Sequence, residues 1–115
     1  MIKRIGFILL VLLIFGCTPS NLVWVEKEPV QCLGNEWEQD YLERNNIKFE
    51  NYPIWKEEEI IKEFYYRRGI RIYKIKKEKL KEEIFCQACS CPRGDKIKVL
   101  INEEELGEMK EFGWK

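Results

Sequence analysis

Three cysteines, Cys86, Cys89 and Cys91, fall within six positions in the stretch FCQACSCP. Cys32 lies more than fifty residues earlier, and Cys17 ends an apolar run near the N-terminus. Thiols this close together pair as disulfides, hold a metal as thiolates, or exchange electrons. The chain has no histidine. That excludes Ser-His-Asp and Cys-His catalysis, histidine general bases and every zinc site that uses imidazole. An enzyme built from this chain would work with carboxylates, lysine, tyrosine or thiols. No carboxylate pair stands out where 35% of residues are charged, so no catalytic residue is assigned.

Which thiol chemistry applies depends on compartment, and the first residues speak to that. Met1, Lys3 and Arg4 form a basic head, followed by an apolar run from Ile5 to Phe15. Eleven helical residues rise roughly 16 Å, about half of a ~30 Å hydrocarbon core. That length suits the h-region of a signal peptide better than a membrane span. The run closes Leu13-Ile14-Phe15-Gly16-Cys17. An aliphatic residue three before the cysteine and a glycine just before it resemble the lipobox of bacterial-type lipoproteins. Phe15 stands where that pattern usually has a small residue. The resemblance implies cleavage after residue 16, a diacylglyceryl group on Cys17 and attachment to the outer face of the cell membrane. Two acyl chains make such attachment durable. An uncleaved signal anchor presenting the same outward domain is the alternative. Residues 1–16 are thus expected to be a signal peptide, 17–31 a lipidated cysteine and tether, and 32–115 one small domain.

Cleavage would remove two of 20 basic residues and leave 18 against 20 acidic ones, a net charge of about −2. No polyelectrolyte partner is required, and the compartment disfavours nucleic acid. The abundance of Lys, Glu and Ile, against only three Gln, suits the exposed ion-pair networks of hyperthermophilic proteins.

With Cys17 given to lipid, four cysteines remain. In an oxidising compartment, small domains use disulfides to supplement a small core. A Cys89–Cys91 ring is too tight. Two connectivities stay open: Cys86–Cys89 with Cys32–Cys91, or Cys86–Cys91 with Cys32–Cys89. Either closes a long loop. The competing redox reading rests on Cys86-Gln87-Ala88-Cys89, which has C-x-x-C spacing but lacks a flanking Trp and Gly-Pro pair. The metal reading needs Cys32 as a distant fourth thiolate. No metal or cofactor is assigned.

The elements that must position these cysteines read as follows. Leu22-Val23-Trp24-Val25 is too apolar for pure linker; it either docks on the domain or sits at the lipid interface. Asn35 is the N-cap of a helix over Glu36–Glu43, with Trp37 and Tyr41 on its core face, ended by Asn45-Asn46. Ile47–Glu50 reads as a short strand. A helix from Trp55 to Arg68 buries Ile60, Ile61, Phe64 and Tyr65 and stops at Gly69. Ile70–Ile75, Ile84–Cys86 and Lys96–Ile101 read as strands, with Lys76–Lys81 a charged connection and Pro92–Asp95 a turn. Asn102-Glu103-Glu104-Glu105 has the capping-box pattern for a last helix carrying Leu106, Met109 and Phe112, closed by Gly113, after which Trp114 folds back. The fold class is therefore α+β: a small, mostly antiparallel sheet of three or four strands, helices on one face, stapled by disulfides.

Cys32, followed by Asn35-Glu36-Trp37-Glu38, and Cys86-Gln87-Ala88-Cys89 near the end resemble small exported cysteine-containing proteins of hyperthermophilic archaea. The resemblance spans residues 32–114 and implies a fold and an exported location, not an activity. Between Arg67 and Lys81 lie eight basic residues with one acid, Glu78. This run reads as a solvated strand end, or as a patch for an anionic surface. Arg93-Gly94-Asp95 reads as a turn. The expected function is a non-enzymatic binding or structural role for a membrane-anchored lipoprotein, whose partners are the membrane, through Cys17, and an envelope protein or anionic surface. The alternative is a membrane-tethered thiol-exchange or metal-binding protein using Cys86, Cys89 and Cys91.

Overall fold

The segment DKIKVLIN alternates polar and apolar residues without a break, and it becomes the middle of the sheet. A computed structural model describes residues 21–80 and 87–115. In it, β1 (Leu22–Lys27), β2 (Lys74–Lys79) and β3 (Asp95–Asn102) form an antiparallel sheet in the order β1-β3-β2. The β3 residues Ile97, Val99 and Ile101 are fully buried, while the residues between them are half-buried. That period of two assigns one sheet face to the core.

Three helices cover this face: α1 (Glu36–Asn45), α2 (Glu57–Tyr66) and α3 (Leu106–Glu111). Their buried side chains, among them Trp37, Ile60, Ile61, Phe64, Tyr65 and Met109, join Val25, Ile97, Val99 and Ile101 in one core cluster. The chain is thus α+β, with a three-stranded sheet among the described residues and helices on one face. Each helix ends in the same way. Ile47 N–H returns to the Leu42 carbonyl, Ile70 N–H to Tyr65, and Trp114 N–H to Met109. The residue before each donor, Asn46, Gly69 or Gly113, is left-handed, with φ of 50, 83 and 88°. This is the Schellman geometry, and it needs a residue that tolerates positive φ at C′. Trp114 does fold back: it is buried and its Nε1 donates to the Tyr65 hydroxyl at 2.8 Å.

Several elements depart from the sequence reading. Leu22–Lys27, placed within residues 17–31 with docking on the domain as one option for its apolar start, is a strand of the sheet, because Val25 alternates into the core against Val99. Ile47–Glu50 forms no strand; Phe49–Asn51 is a single 3-10 turn leading to Pro53. Trp55 does not start the long helix but lies in a 3-10 turn, Ile54–Lys56, and stays 79% exposed. Ile70 and Ile72 bury their side chains from irregular chain, and the strand begins only at Lys74. The charged connection is therefore mostly β2. Its run of lysines suits an edge strand, where charge discourages pairing with another chain. The capping box at Asn102 does not form. Asn102 Oδ1 is buried without a hydrogen-bond partner, and Glu103–Glu105 make a 3-10 turn before α3. The strand expected at Ile84–Cys86 lies outside the described residues.

Candidate functional site: the cysteine strap and the ion cluster behind it

The chain between Pro29 and Gly34 lies antiparallel to the cysteine segment. Val30 pairs with Pro92, Gln31 N–H donates to the Cys91 carbonyl at 2.9 Å, and Arg93 N–H donates to the Pro29 carbonyl at 2.9 Å. Gln31 Nε2 adds a bond to the Pro92 carbonyl at 3.1 Å. At the end of this pairing Cys32 and Leu33 are both left-handed, with φ of 60 and 53°. Each costs about 1–2 kcal/mol for a residue with a Cβ. The turn brings Cys32 onto Cys89, and a disulfide joins them across 57 residues. Gly34 completes the turn; a Cβ there would meet Val30 Cγ2 at 3.1 Å and the Gln31 carbonyl at 3.3 Å.

Of the two connectivities left open by the sequence, the Cys32–Cys89 bond belongs to the second. Cys91 is also disulfide-bonded. Cys17 and Cys86 lie outside the described residues. Cys89 therefore spends its sulfur on Cys32, and the C-x-x-C spacing does not close on itself. Among the described residues, no group of three or more Cys, Asp or Glu side chains gathers as a metal site. Cys32 and Cys89 are both exposed.

Directly behind the strap lies an arrangement the sequence reading missed. Arg93, two residues past Cys91, turns its guanidinium inward. Nη1 donates to Glu57 Oε2 at 2.8 Å, and Nη2 to Glu57 Oε1. Nε and Nη2 also donate to Asp95, at 2.6 and 2.8 Å. Lys77, reaching in from β2, pairs with Glu57 Oε1 at 2.7 Å, and Trp37 Nε1 donates to Glu57 Oε2 at 3.3 Å. Arg93-Gly94-Asp95 is thus not a free surface tripeptide but one side of a clamp.

A second buried carboxylate stands beside the first. Glu38 Oε1 accepts the Asn35 backbone N–H at 3.1 Å and the Asn35 side-chain amide. Asn35 in turn brackets Val30, accepting its N–H at 3.0 Å and donating to its carbonyl at 3.1 Å. Glu38 Oε2 has no hydrogen bond; Arg93 Nη1 is 3.7 Å from it. The Tyr52 hydroxyl is likewise buried without a hydrogen-bond partner.

The two carboxyls respond oppositely to burial. For Glu38, desolvation is the largest influence and outweighs Asn35, so its proton affinity is raised. For Glu57, desolvation also pushes upward, but the bonds from Arg93 and Lys77 together overcome it and hold the carboxyl below its ordinary range. Burial raises the Tyr52 hydroxyl, helped by the charges of Glu57 and Glu38. Arg93 is desolvated, yet its bonds to Glu57 and Asp95 hold its proton more firmly than usual. Divergent carboxyls can mark a general acid and base. Here Glu57 is 0% and Glu38 1% exposed, so no substrate atom reaches either. On the outer side Lys77, Lys79, Arg93 and Asp95 line an open cleft of about 410 Å³.

Glu57 and Glu38 did carry a sequence signal. Glu57 precedes Ile60, Ile61, Phe64 and Tyr65 by 3, 4, 7 and 8 positions, on the apolar stripe itself. Glu38 stands three before Tyr41 and four before Leu42 in the same sense. An acid on a core stripe needs a buried cation, and Arg93 supplies it.

Comparison with protein-family models, curated proteins and solved structures returns no match.

Proposed function

We propose that this chain is a lipid-anchored extracytoplasmic protein whose small α+β domain has a binding or structural role rather than a catalytic one. The observation that carries the reading is the exposed Cys32–Cys89 disulfide, a bond at home outside a reducing cytoplasm. The signal-like start and the lipobox resemblance ending at Cys17 supply the route to that compartment. With Cys17 taken by lipid, Cys86 is the remaining partner for Cys91, and the domain carries two staples, Cys32–Cys89 and Cys86–Cys91. The two buried carboxylates support the non-catalytic reading, since they act as a clamp closed to solvent.

The test is fractionation of the full chain in an exporting host. The parent protein is expected in the membrane fraction, beginning at Cys17 and heavier by its lipid. A membrane-bound parent that keeps residues 1–16 with an unmodified Cys17 would mean an uncleaved signal anchor and overturn lipidation.

One observation favours a second reading. Both residues of the Cys32–Cys89 bond are exposed, and exposed disulfides are the labile class. A membrane-tethered thiol exchanger would be reduced by mild dithiol without unfolding. A structural staple would resist under the same conditions.

A further inference from the structure

The sheet face turned away from the helices is divided along its length. At the β1 start, Leu22 and Trp24 are 43 and 42% exposed, and Leu100, paired with Trp24, is half-buried. Lys74 pairs with Leu100 from the other side, and Lys76 Nζ lies 4.8 Å from the Trp24 ring centroid. Farther along, the face carries compensated charge: Lys98 pairs with Glu78 at 3.0 Å and Lys96 with Glu26 at 3.5 Å. One corner thus joins Leu, Trp and Leu to two lysines, and the rest is a neutral salt-bridged surface. Glu26 and Glu78 line one pocket with Trp24 and Lys76, each paired to a lysine of β3, and Glu103–Glu105 stand in the turn leading from β3 to α3.

The place of this corner in the chain identifies what covers it. Leu22 is five residues after Cys17, so the two are separated by at most about 18 Å. The opposite end of β1 lies roughly 17 Å farther away. If Cys17 carries lipid, the aromatic and basic corner is held at the height of the headgroups. A tryptophan with an apolar body and a polar N–H, flanked by lysines that extend along apolar surface, is the chemistry of that layer.

We infer that the Leu22–Trp24–Leu100 corner of the open sheet face, with Lys74 and Lys76, docks the domain onto the headgroup region of the membrane, the lysines meeting lipid phosphates. The inference rests on the lipid-anchor reading for its geometry. The docked face leaves the cysteine strap and the Arg93 cleft, near the Lys79–Asp95 end of the sheet, pointing away from the bilayer.

The test uses the exported full chain in vesicles whose acyl chains are brominated, so that bromine quenches tryptophan at the interface. Vesicles of zwitterionic lipid and vesicles with added anionic lipid are compared. The mass of Cys17 is read on the same sample. Trp37 and Trp114 are buried, leaving Trp24 and Trp55 as reporters. Quenching is expected that disappears in Trp24→Phe, persists in Trp55→Phe and strengthens with anionic lipid. Lys74→Gln with Lys76→Gln is expected to lower the docked-to-undocked ratio roughly tenfold or more in anionic vesicles. Quenching that disappears in Trp55→Phe instead, or no quenching while Cys17 carries lipid, would overturn the docking proposal. Self-association that shields Trp24 from bromine would also overturn it, in favour of a second copy on this face. An unmodified Cys17 with Trp24 still quenched would overturn the anchor alone and leave the docking face standing.

Discussion

Arg93 reaches Glu57 across 36 residues with both guanidinium Nη atoms, and it does so from the second position after Cys91. The strap and the core are thereby joined: the segment that carries Cys89 and Cys91 is pinned at one end by a disulfide and at the other by a buried ion pair. The same guanidinium holds Asp95 at the head of β3, so the clamp also fixes where the central strand begins.

Removing one partner of this pair should be expensive. Arg93→Met leaves Glu57 buried with Lys77 as its one remaining cation among the described residues and is expected to cost about 3–5 kcal/mol. Arg93→Met combined with Glu57→Met removes both charges and should recover most of that loss. Urea unfolding of the parent, both single variants and the double variant checks this. A double variant as unstable as the singles summed would mean that the pair is not the source of the cost.

The two carboxyls make stability depend on pH in opposite directions. Glu57 binds its proton less tightly in the fold than when unfolded. Its contribution is present above the ordinary carboxylate range and is lost as pH falls below it. Glu38 binds its proton more tightly in the fold, so stability falls as pH rises from the ordinary carboxylate range upward. Glu38→Gln mimics the protonated form. It should remove this alkaline-side loss, so that its stability relative to the parent rises as pH increases through and above the ordinary carboxylate range. Thermal unfolding across pH measures both limbs.

The Trp114 bond to Tyr65 closes the C-terminus on the core. Tyr65→Phe removes the acceptor and leaves the buried indole N–H unpaired, at a cost of about 1–3 kcal/mol. Trp114→Phe in the Tyr65→Phe background should add less than it does alone, because the unpaired group goes with it. The coupling is read from a double-mutant cycle in denaturant.

Loss of the Cys32–Cys89 staple by paired serine substitution should destabilise by roughly 4 kcal/mol in the chain-entropy model, given a closed loop of 57 residues. The change is expected mainly as a faster and easier unfolding, with the core spectrum of Trp37 and Trp114 unaltered in the folded state.

What the sequence made legible were features with local causes. Asn46, Gly69 and Gly113 end helices because a residue tolerant of positive φ must stand at C′. Ile60, Ile61, Phe64 and Tyr65 mark a core stripe by spacing alone. Features set by distant partners were harder to read. Leu22–Lys27 becomes a strand because β3 offers it an edge; its apolar residues mark it as more than linker but do not say what it pairs with. Ile70 and Ile72 alternate like a strand, yet the tight exit from α2 at Gly69 carries them into the core as irregular chain. The role of Glu57 is set by Arg93, which lies inside an ordinary-looking turn 36 residues away. The pairing of Cys32 with Cys89 depends on the antiparallel contact of Val30 with Pro92, which spacing between cysteines does not encode.

The most direct test of the account is the intact mass of the full chain recovered from the membranes of an exporting host, before and after reduction and alkylation, with metal content measured on the same sample. The account predicts a chain beginning at a lipid-modified Cys17 and about 4 Da lighter than its fully reduced form, as two disulfides require, with no thiol available to alkylate before reduction. An unmodified Cys17 with the first sixteen residues retained would contradict the anchor. Alkylatable Cys86 and Cys91, or about one metal ion per chain bound to thiolates, would contradict the staples and make the cysteine strap the working site.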